Sequence, residues 1–258
     1  TIWLRIQTMA VLNLRDCVFD VKVLVFDKDG TLIDFHTIWG SRMVSAAESM
    51  ISACQGGDDL RDQLFHTVGY SLERNQTLGC GPLATAPIVQ LETIVATVLH
   101  QAGIPWDEAV LLAVEHFTKR MVAHPAADEI SPRANLVSLL RAFRDAEIRL
   151  AVATTDNRLP AEKCLEVLGI EILIEQLLCG DDRTGPRKPD PAVLLDIAES
   201  FGAPIDQVIM VGDTASDLKM AKAAGAMAIA ITGGAGSRGE LEQQADVVID
   251  SLEEICVI

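Results

Sequence analysis

The chain has 258 residues, of which 49% are hydrophobic and 22% are charged. These values are typical of a globular protein and argue against disorder, and the length suits one large domain or one domain with a substantial insertion. Lys and Arg total 21 against 37 Asp and Glu, so the net charge is −16. This charge argues against a main task of binding a nucleic-acid backbone or an anionic membrane, since both require positive charge.

Targeting and membrane signals are weak in this sequence. Its apolar runs are shorter than the roughly 18 residues that span a bilayer, and its first residues lack the pattern of a secretory signal. We therefore expect a soluble, cytoplasmic protein. The cysteines show neither a C-x-x-C pair nor zinc-site spacing, which predicts reduced, mostly buried thiols. They are Cys17, Cys54, Cys80, Cys164, Cys179 and Cys256.

The first strong strand signal is the β-branched run V-K-V-L-V-F at residues 21–26, which ends at the acidic turn of residues 27–30. Beyond it, glycine- and proline-containing breakers separate stretches with the apolar spacing of amphipathic helices. We therefore expect residues 35–128 to be all-helical, without a strand. The helical stretches are residues 36–54, 84–101 and 107–123, and the breakers are residues 56–59, 79–82 and 103–105.

Strands and helices alternate after residue 131. Pro132 suits a first helical position with Ser131 as its cap, which predicts a helix to about residue 146. The alternation implies right-handed crossovers and a parallel sheet covered on both faces. Strands are predicted at residues 148–153, 208–211, 226–231 and 247–249, helices at 160–168, 191–201 and 215–224, and residues 172–179 are ambiguous.

The predicted fold class is therefore α/β, with a Rossmann-like parallel sheet flanked by helices. Residues 1–34 and 129–258 would form this core, and residues 35–128 would be inserted into it as a helical domain. Ligands of open α/β sheets bind outside the carboxyl ends of the strands. Polar clusters follow three predicted strands at that edge, at residues 27–29, 154–157 and 212–217.

Four acids would converge at this edge: Asp27, Asp29, Asp213 and Asp217. They would repel one another unless a cation lies among them, and Mg²⁺ prefers such oxygen ligands together with water and phosphate. Thr154 and Lys188 offer donors suited to phosphate. Each signal alone has an ordinary explanation, as a solvated turn, a helix cap or a surface lysine. Their joint occurrence at strand ends favours a site.

Four motifs make the chain similar to the haloacid dehalogenase superfamily of hydrolases. They are V-L-V-F-D-K-D-G-T-L at residues 23–32, R-L-A-V-A-T-T-D-N at 149–157, R-K-P-D-P at 187–191 and V-G-D-T-A-S-D-L at 211–218. The helical insert resembles the cap of the phosphoglycolate phosphatase and β-phosphoglucomutase branch. The resemblance thus implies a catalytic core over residues 1–34 and 129–258 and a cap over residues 35–128, with hinges near residues 34 and 129.

The resemblance also implies a reaction, the hydrolysis of a small phosphorylated metabolite such as phosphoglycolate or a sugar phosphate. Asp27 would be the nucleophile that forms an aspartyl-phosphate, and Asp29 the general acid and base. Mg²⁺ would be held by the Asp27 carboxylate, the Asp29 backbone carbonyl and Asp213. Two further residues, Thr154 and Lys188, would hold phosphoryl oxygens. Behind them, Asp217 would orient the set through Lys188 or a metal-bound water.

Two positions depart from the family pattern. Lys28 lies between the two acids, and its side chain is expected to point away from the site. Thr155 and Asp156 replace the commoner Asn after Thr154, which leaves one supporting contact open. The glycine-rich residues 233–236 lack the Lys-Ser/Thr of a P-loop and are interpreted as a flexible connection.

In the insert, His36 and Trp39 are candidates to enter the site, and Asp34 is assigned to the hinge. Candidates for substrate contact are Arg42, Tyr70 and Arg74. The histidines share no ligand spacing, so surface or cap roles are expected for His36, His66, His100, His116 and His124.

Two other functions remain open. A phosphoglucomutase-like phosphotransferase would use the same motifs, and a catalytically silent binding module would keep the scaffold. A dehalogenase is disfavoured because the resemblance there requires a non-acidic residue at Asp29. A phosphonate hydrolase would need a small residue at that position. No nucleic-acid or membrane partner is expected, and the sequence does not reveal an oligomeric state.

Overall fold

The computed structural model describes residues 10–14, 17–79, 81–123, 125–182 and 185–258. Every helix within these ranges is too short or too polar to cross a membrane. The strands are β1 (Ala10–Leu14), β2 (Cys17–Val21), β3 (Val23–Phe26), β4 (Tyr70–Ser71), β5 (Gln76–Thr77), β6 (Arg149–Ala153), β7 (Gln176–Leu178), β8 (Val208–Gly212), β9 (Met227–Ile231), β10 (Val247–Ile249) and β11 (Cys256–Val257).

Helices surround this framework and dominate the region between β3 and β6. They are α1 (Ser41–Cys54), α2 (Asp58–Val68), α3 (Pro82–Thr85), α4 (Ile88–Gln101), α5 (Trp106–Leu112), α6 (Lys119–Met121), α7 (Leu136–Asp145), α8 (Arg158–Leu168), α9 (Ala192–Ser200), α10 (Ala215–Ala224) and α11 (Arg238–Glu242). Two π-helical segments, His36–Gly40 and Ala113–Thr118, lead into α1 and α6. The predicted helix at residues 36–54 therefore exists, with a wider first turn.

The main sheet has six parallel strands in the order β10-β9-β8-β3-β6-β7. Its central strand β3 pairs with both β6 and β8, and Phe26 lies opposite Val152 on one side and Val211 on the other. The three strands thus end at the same level, which brings the residues that follow them to one crevice. The predicted parallel α/β fold is confirmed.

Side chains of β3 alternate between two apolar layers, as the pleat of a strand requires. Phe26 stacks on Phe143 of α7 at 6.4 Å between ring centroids on one face. Val25 packs in the same cluster as Ile197 of α9 on the other face. Because all four side chains are buried, the strand that precedes the candidate site is held from both sides.

The helices between β3 and β6 share a separate apolar cluster. Met43 of α1, Leu64 of α2, Leu99 of α4 and Phe117 lie at its centre and are all fully buried. Almost all buried members of this cluster come from residues 33–130. A core of its own supports an inserted unit, while the exact boundaries at residues 34 and 129 stay a prediction.

Several elements differ from the sequence-based expectation. The antiparallel hairpin β4–β5 lies in the segment expected to be all-helical, and α2 occupies a stretch for which no helix was predicted. The small sheet β11-β1-β2 was also not predicted. Two-residue strands are too short to show an alternating pattern, and the β1–β11 pairing joins distant parts of the chain.

The helix predicted from Pro132 begins later. Pro132 forms an antiparallel bridge with Ile33, and the carbonyl of Ser131 accepts the backbone N–H of Asp34 at 2.8 Å. The two chain crossings between core and insert are thus hydrogen-bonded to each other. Asn135 takes the capping position instead, where its Oδ1 accepts the N–H of Ser138 at 3.3 Å.

Candidate active site

Three buried carboxylates meet at the ends of β3 and β8. Asp27 follows β3, Asp213 follows β8, and Asp217 lies in the first turn of α10. One carboxylate oxygen from each lies within 4.8 Å of those of the other two. Parallel neighbouring strands explain the meeting, because both end at the same edge of the sheet.

Lys188 joins two of these acids. Its Nζ lies 2.6 Å from Oδ1 of Asp27 and 2.5 Å from Oδ1 of Asp217, and it donates to the carbonyl of Ala153 at 3.0 Å. Burial disfavours the ammonium charge, but the two carboxylates, led by Asp217, outweigh burial and raise the pKa of Lys188 above its ordinary value. The lysine therefore stays charged.

One lysine does not balance this group of acids. Burial raises the pKa of Asp27 to about 7, and repulsion from Asp217 and Asp29 adds to burial, while Lys188 opposes it. The pKa of Asp213 is raised well above its usual value by burial and then by Asp27 and Asp217. A further cation would relieve both effects. Clustered carboxylate oxygens with excess negative charge fit a hard divalent ion such as Mg²⁺.

Two glycines make room for the Asp213 carboxylate. A Cβ on Gly30 or on Gly234 would lie 2.2 Å from Oδ2 of Asp213, far inside contact distance. Gly30 also has a φ of +94°, a conformation that side chains disfavour. Ala235 donates its N–H to the same oxygen at 2.7 Å, and Thr31 Oγ1 donates to Oδ1 at 3.2 Å. The loop of residues 233–236, interpreted as a flexible connection, instead supports Asp213.

Asp217 has a double function in the fold. Its Oδ2 accepts hydrogen bonds from Thr214, from the N–H at 3.2 Å and from the hydroxyl at 2.7 Å, which caps α10. Its Oδ1 faces Lys188. The helix start therefore fixes the carboxylate that orients the lysine, in agreement with the contact expected between Asp217 and Lys188.

Lys28 does not point away from the site as expected. Its Nζ lies 2.7 Å from both carboxylate oxygens of Asp29 and 3.1 Å from Oδ2 of Asp156, and its side chain is only 1% exposed. It also lies 5.8 Å from the centroid of the Trp39 ring. The apolar stem fits under the strand end, and the two acids supply the partners that a buried ammonium requires. Burial raises the pKa of Asp156, although Lys28 opposes this.

Thr154 follows β6 directly and is not among the residues that line the cavity. Its hydroxyl accepts the N–H of Asp156 at 3.1 Å. Thr155 and Asp156, the two residues after it, line the cavity. The commoner Asn after Thr154 is replaced here by residues 155–156, and in its place Asp156 forms an ion pair with Lys28.

A cavity separates the acids from the helical insert. Its free space is about 40 Å³, room for only a few water molecules. Of the insert candidates, Trp39 lines it. The lining residues are Asp27, Asp29, Phe35, Trp39, Leu83, Ala84, Thr85, Ala86, Ile88, Leu91, Thr155, Asp156, Lys188, Thr214, Ser216 and Asp217.

The other insert candidates have structural contacts elsewhere. Arg42 forms a bidentate pair with Glu129 at 2.9 and 2.8 Å and donates to two backbone carbonyls. Tyr70 donates its hydroxyl to Asn75 at 2.5 Å, and Arg74 is exposed in the same hairpin. These three side chains were predicted to contact substrate, and none of them is among the residues that line the cavity.

Most remaining predicted residues have ordinary environments. Asp34 accepts the N–H and hydroxyl of Thr37 at 2.8 and 2.9 Å at the hinge, and His36 is adjacent but outside the cavity lining. Within the described ranges, no histidine joins a metal-type cluster. The cysteines whose side chains are described are free, with Cys164 and Cys179 buried, Cys54 half-buried and Cys256 exposed. Cys80, His124 and the Cys17 side chain lie outside the described residues.

Sequence reasoning missed the Lys28–Asp156 pair and the role of residues 233–236. The two departures from the family motifs at Lys28 and Asp156 were the available signal, since a buried charge needs a partner of opposite sign. Arg133 was also missed; it donates to the carbonyls of Gly30 and Thr232 and so ties the turn after β3 to the end of β9.

Comparisons with known proteins agree with this geometry. The model of the haloacid dehalogenase-like hydrolases matches residues 21–225. A phosphoglycolate phosphatase from Agrobacterium fabrum is 30% identical over 226 residues, 88% of this chain and 87% of that protein. Another from Rhodospirillum rubrum is 31% identical over 83% of this chain and 80% of that protein. The crystal structure of a hydrolase from Pseudomonas syringae shares the fold, with a TM-score of 0.58 and 22% identity over 90% of this chain and 95% of that one.

Proposed function

The chain belongs to the haloacid dehalogenase-like hydrolases, and from this premise we propose that it is a Mg²⁺-dependent phosphatase acting through an aspartyl-phosphate on Asp27. The observation that carries the proposal is the buried group of Asp27, Asp213 and Asp217, with oxygens within 4.8 Å, beside Lys188. The relatives from A. fabrum and R. rubrum are named phosphoglycolate phosphatases, which supports a small phosphate monoester as substrate.

In the first step, an Asp27 carboxylate oxygen attacks phosphorus in line with the ester oxygen. The bond between phosphorus and the ester oxygen breaks, and its electron pair stays on the leaving alkoxide. Asp29, which must take up a proton before this step in spite of its contact with Lys28, gives that proton to the ester oxygen, so the alcohol leaves neutral. Both residues line the same cavity, which supports these roles.

In the second step, the Asp29 carboxylate takes a proton from a water whose oxygen attacks phosphorus. The bond between phosphorus and the Asp27 oxygen breaks, and the electron pair restores the carboxylate. One water is consumed, and one alcohol and one phosphate are formed. Asp29 ends protonated, as it began.

Charge compensation falls to Lys188, with Thr154 as a second donor to phosphoryl oxygens. Lys188 already lies 2.6 Å from Asp27, so it can contact the phosphoryl group attached there. Asp217 orients Lys188 from the start of α10. The Thr154 hydroxyl accepts the N–H of Asp156, and its own O–H can still donate to a phosphoryl oxygen.

The Asp27 carboxylate, the Asp29 backbone carbonyl and the Asp213 carboxylate would hold Mg²⁺. When bound, the ion supplies positive charge that cancels repulsion between the carboxylate nucleophile and the phosphoryl oxygens. The excess of buried acid over base at this site supports such an ion. Phosphoglycolate and sugar phosphates are the first substrates to assay, given the names of the relatives.

The test is the Asp27→Asn variant, which is nearly isosteric but removes the nucleophilic oxygen charge. We expect phosphate release from monoesters to fall by about a thousandfold or more while the circular dichroism spectrum is kept. Asp206→Asn makes the same chemical change at an exposed position away from the cavity and should keep full activity.

Two results would contradict the proposal. Undiminished turnover by Asp27→Asn would show that Asp27 is not the nucleophile. Phosphate release that requires an added sugar bisphosphate, and occurs only by transfer to a sugar hydroxyl, would instead support the phosphotransferase alternative.

A further inference from the structure

The wall of the cavity that faces the acids is apolar. All of its large side chains are hydrocarbon or aromatic, and Thr85 alone contributes a side-chain hydroxyl. That hydroxyl donates to the carbonyl of Gly81 at 3.0 Å within α3. The members of this wall, which we call the insert wall, are Phe35, Trp39, Leu83, Ala84, Thr85, Ala86, Ile88 and Leu91.

Charged side chains line only the opposite wall, formed by the α/β core. Among the described residues that line the cavity, Lys188 alone is cationic. Its ammonium group already forms ion pairs with Asp27 and Asp217. Lys28, just behind the lining, is paired with Asp29 and Asp156. A second anion on the substrate would therefore compete with buried ion pairs for its partner.

Arg42, whose Cζ lies 5.8 Å from the centroid of the Trp39 ring, is not free to enter the cavity. Its guanidinium is 7% exposed and makes hydrogen bonds to both carboxylate oxygens of Glu129 and to the carbonyls of Met121 and Ala123. Turning it toward the cavity would break four hydrogen bonds and leave the Glu129 carboxylate without its cation. Among the described lining residues, the insert wall thus offers no cationic partner for a carboxylate.

We propose that the substrate of this phosphatase carries an uncharged, mainly apolar organic group, a short alkyl or arylalkyl chain, that packs against the insert wall. The inference rests on the proposed function and deepens it. The phosphoryl group would lie at Asp27 and Lys188, and the group on the ester oxygen would extend toward Trp39, Leu83 and Leu91. Burial of apolar surface favours such a group, whereas an unpaired carboxylate loses its hydration without compensation.

The experiment compares esters of similar size and similar leaving-group basicity. n-Propyl phosphate and phosphoglycolate differ mainly in an ethyl group against a carboxylate, benzyl phosphate adds an aromatic ring, and phosphocholine adds a cation. With the full chain and Mg²⁺, we expect kcat/KM for n-propyl and benzyl phosphate to exceed that for phosphoglycolate and phosphocholine by roughly tenfold or more.

A variant tests whether the insert wall causes this preference. Thr85→Lys adds a cation to the wall and should raise the phosphoglycolate to n-propyl phosphate ratio of kcat/KM by about tenfold, through a new charge-assisted contact. Val89→Lys adds the same charge four residues later, at a side chain that is 68% exposed and outside the lining. It should leave the ratio unchanged.

The outcomes separate the inference from the proposed function. If wild-type protein hydrolyses phosphoglycolate or phosphocholine as efficiently as n-propyl phosphate, the inference is overturned while the phosphatase function stands. An equal change of the ratio in both lysine variants would overturn the assignment to the insert wall. If the four esters release no phosphate while a sugar phosphate does, the inference is overturned and the phosphatase function stands. If no phosphate monoester is hydrolysed, the proposed function and the inference both fail.

Discussion

Lys28 illustrates how a single residue can belong to a site without touching the reaction. The position between the two acids of the first motif was expected to send its side chain away. Instead, Lys28 is buried against Asp29 and Asp156. A buried ammonium without anions is strongly unfavourable, so this lysine and Asp156 depend on each other. Their pairing holds the carboxylate of Asp29 beside the cavity.

We predict that Lys28→Met lowers the free energy of unfolding by about 3–5 kcal/mol, because it leaves the buried carboxylate of Asp156 and the half-buried carboxylate of Asp29 without their cation. Urea denaturation measures the change. Lys163→Met is the matched control, since Lys163 pairs with Glu166 at an exposed position and its removal should change stability by no more than about 1 kcal/mol. Equal stability of the two variants would contradict the buried pair.

Among the elements, the loop that joins β9 to α11 has the most direct effect on the site. It presents Gly234 and the N–H of Ala235 to the Asp213 carboxylate. The backbone N–H of Gly236 also donates to the Asp213 carbonyl at 3.0 Å. Backbone N–H groups of this loop thus bind both the carboxylate and the carbonyl of Asp213. The orientation of the Asp213 side chain therefore depends on residues far from its own motif.

A Gly234→Ala substitution tests this enclosure. Its Cβ would lie 2.2 Å from Oδ2 of Asp213, so the carboxylate must turn or the loop must shift. We expect the Mg²⁺ concentration that gives half-maximal activity to rise by about tenfold or more, as for loss of a contact that orients a metal ligand. Activity is measured over a Mg²⁺ titration.

Gly239→Ala serves as the control in the same segment, because nothing lies within 4 Å of its added Cβ. It lies in α11, where alanine is the better helix former, so stability should be equal or slightly higher. If Gly234→Ala matched Gly239→Ala in its Mg²⁺ dependence, the loop would not orient Asp213.

At the scale of the whole molecule, the proposed metal site would link ion binding to folding. Asp27 and Asp213 come from distant parts of the chain and approach each other only when β3 and β8 pair. An unfolded chain therefore offers no comparable site, and an ion that binds the native state stabilises all of it. The net charge of −16 adds a general attraction for cations.

We accordingly predict that Mg²⁺ raises the Tm of the wild-type protein, by an amount that reflects about 2.7 kcal/mol at a hundred times the dissociation constant. Excess chelator should reverse the shift and abolish phosphate release, and added Mg²⁺ should restore both. Differential scanning calorimetry of Asp213→Asn should show little shift, whereas Asp206→Asn should respond like the parent. Activity that persists in chelator would contradict the metal's role.

Local patterns in the sequence were sufficient to predict the parallel α/β core and the residues at its strand ends. The V-L-V-F strand is apolar on both faces and stops at an acidic turn, so its burial and its end can be deduced without coordinates. The strands of the main sheet ended close to their predicted positions for the same reason. Since parallel strands place their carboxyl ends together, the meeting of Asp27, Asp213 and Asp217 also followed, whereas Asp29, expected as the fourth acid, pairs with Lys28 instead.

The tertiary structure decided what depends on contacts between distant segments. It paired Lys28 with Asp156, placed Gly234 against Asp213, and turned Arg42 toward Glu129 instead of the cavity. It also decided the hairpin β4–β5 and the apolar character of the insert wall. Periodicity reports which residues are buried in their own element, but the partner that each buried group meets is chosen by packing between elements.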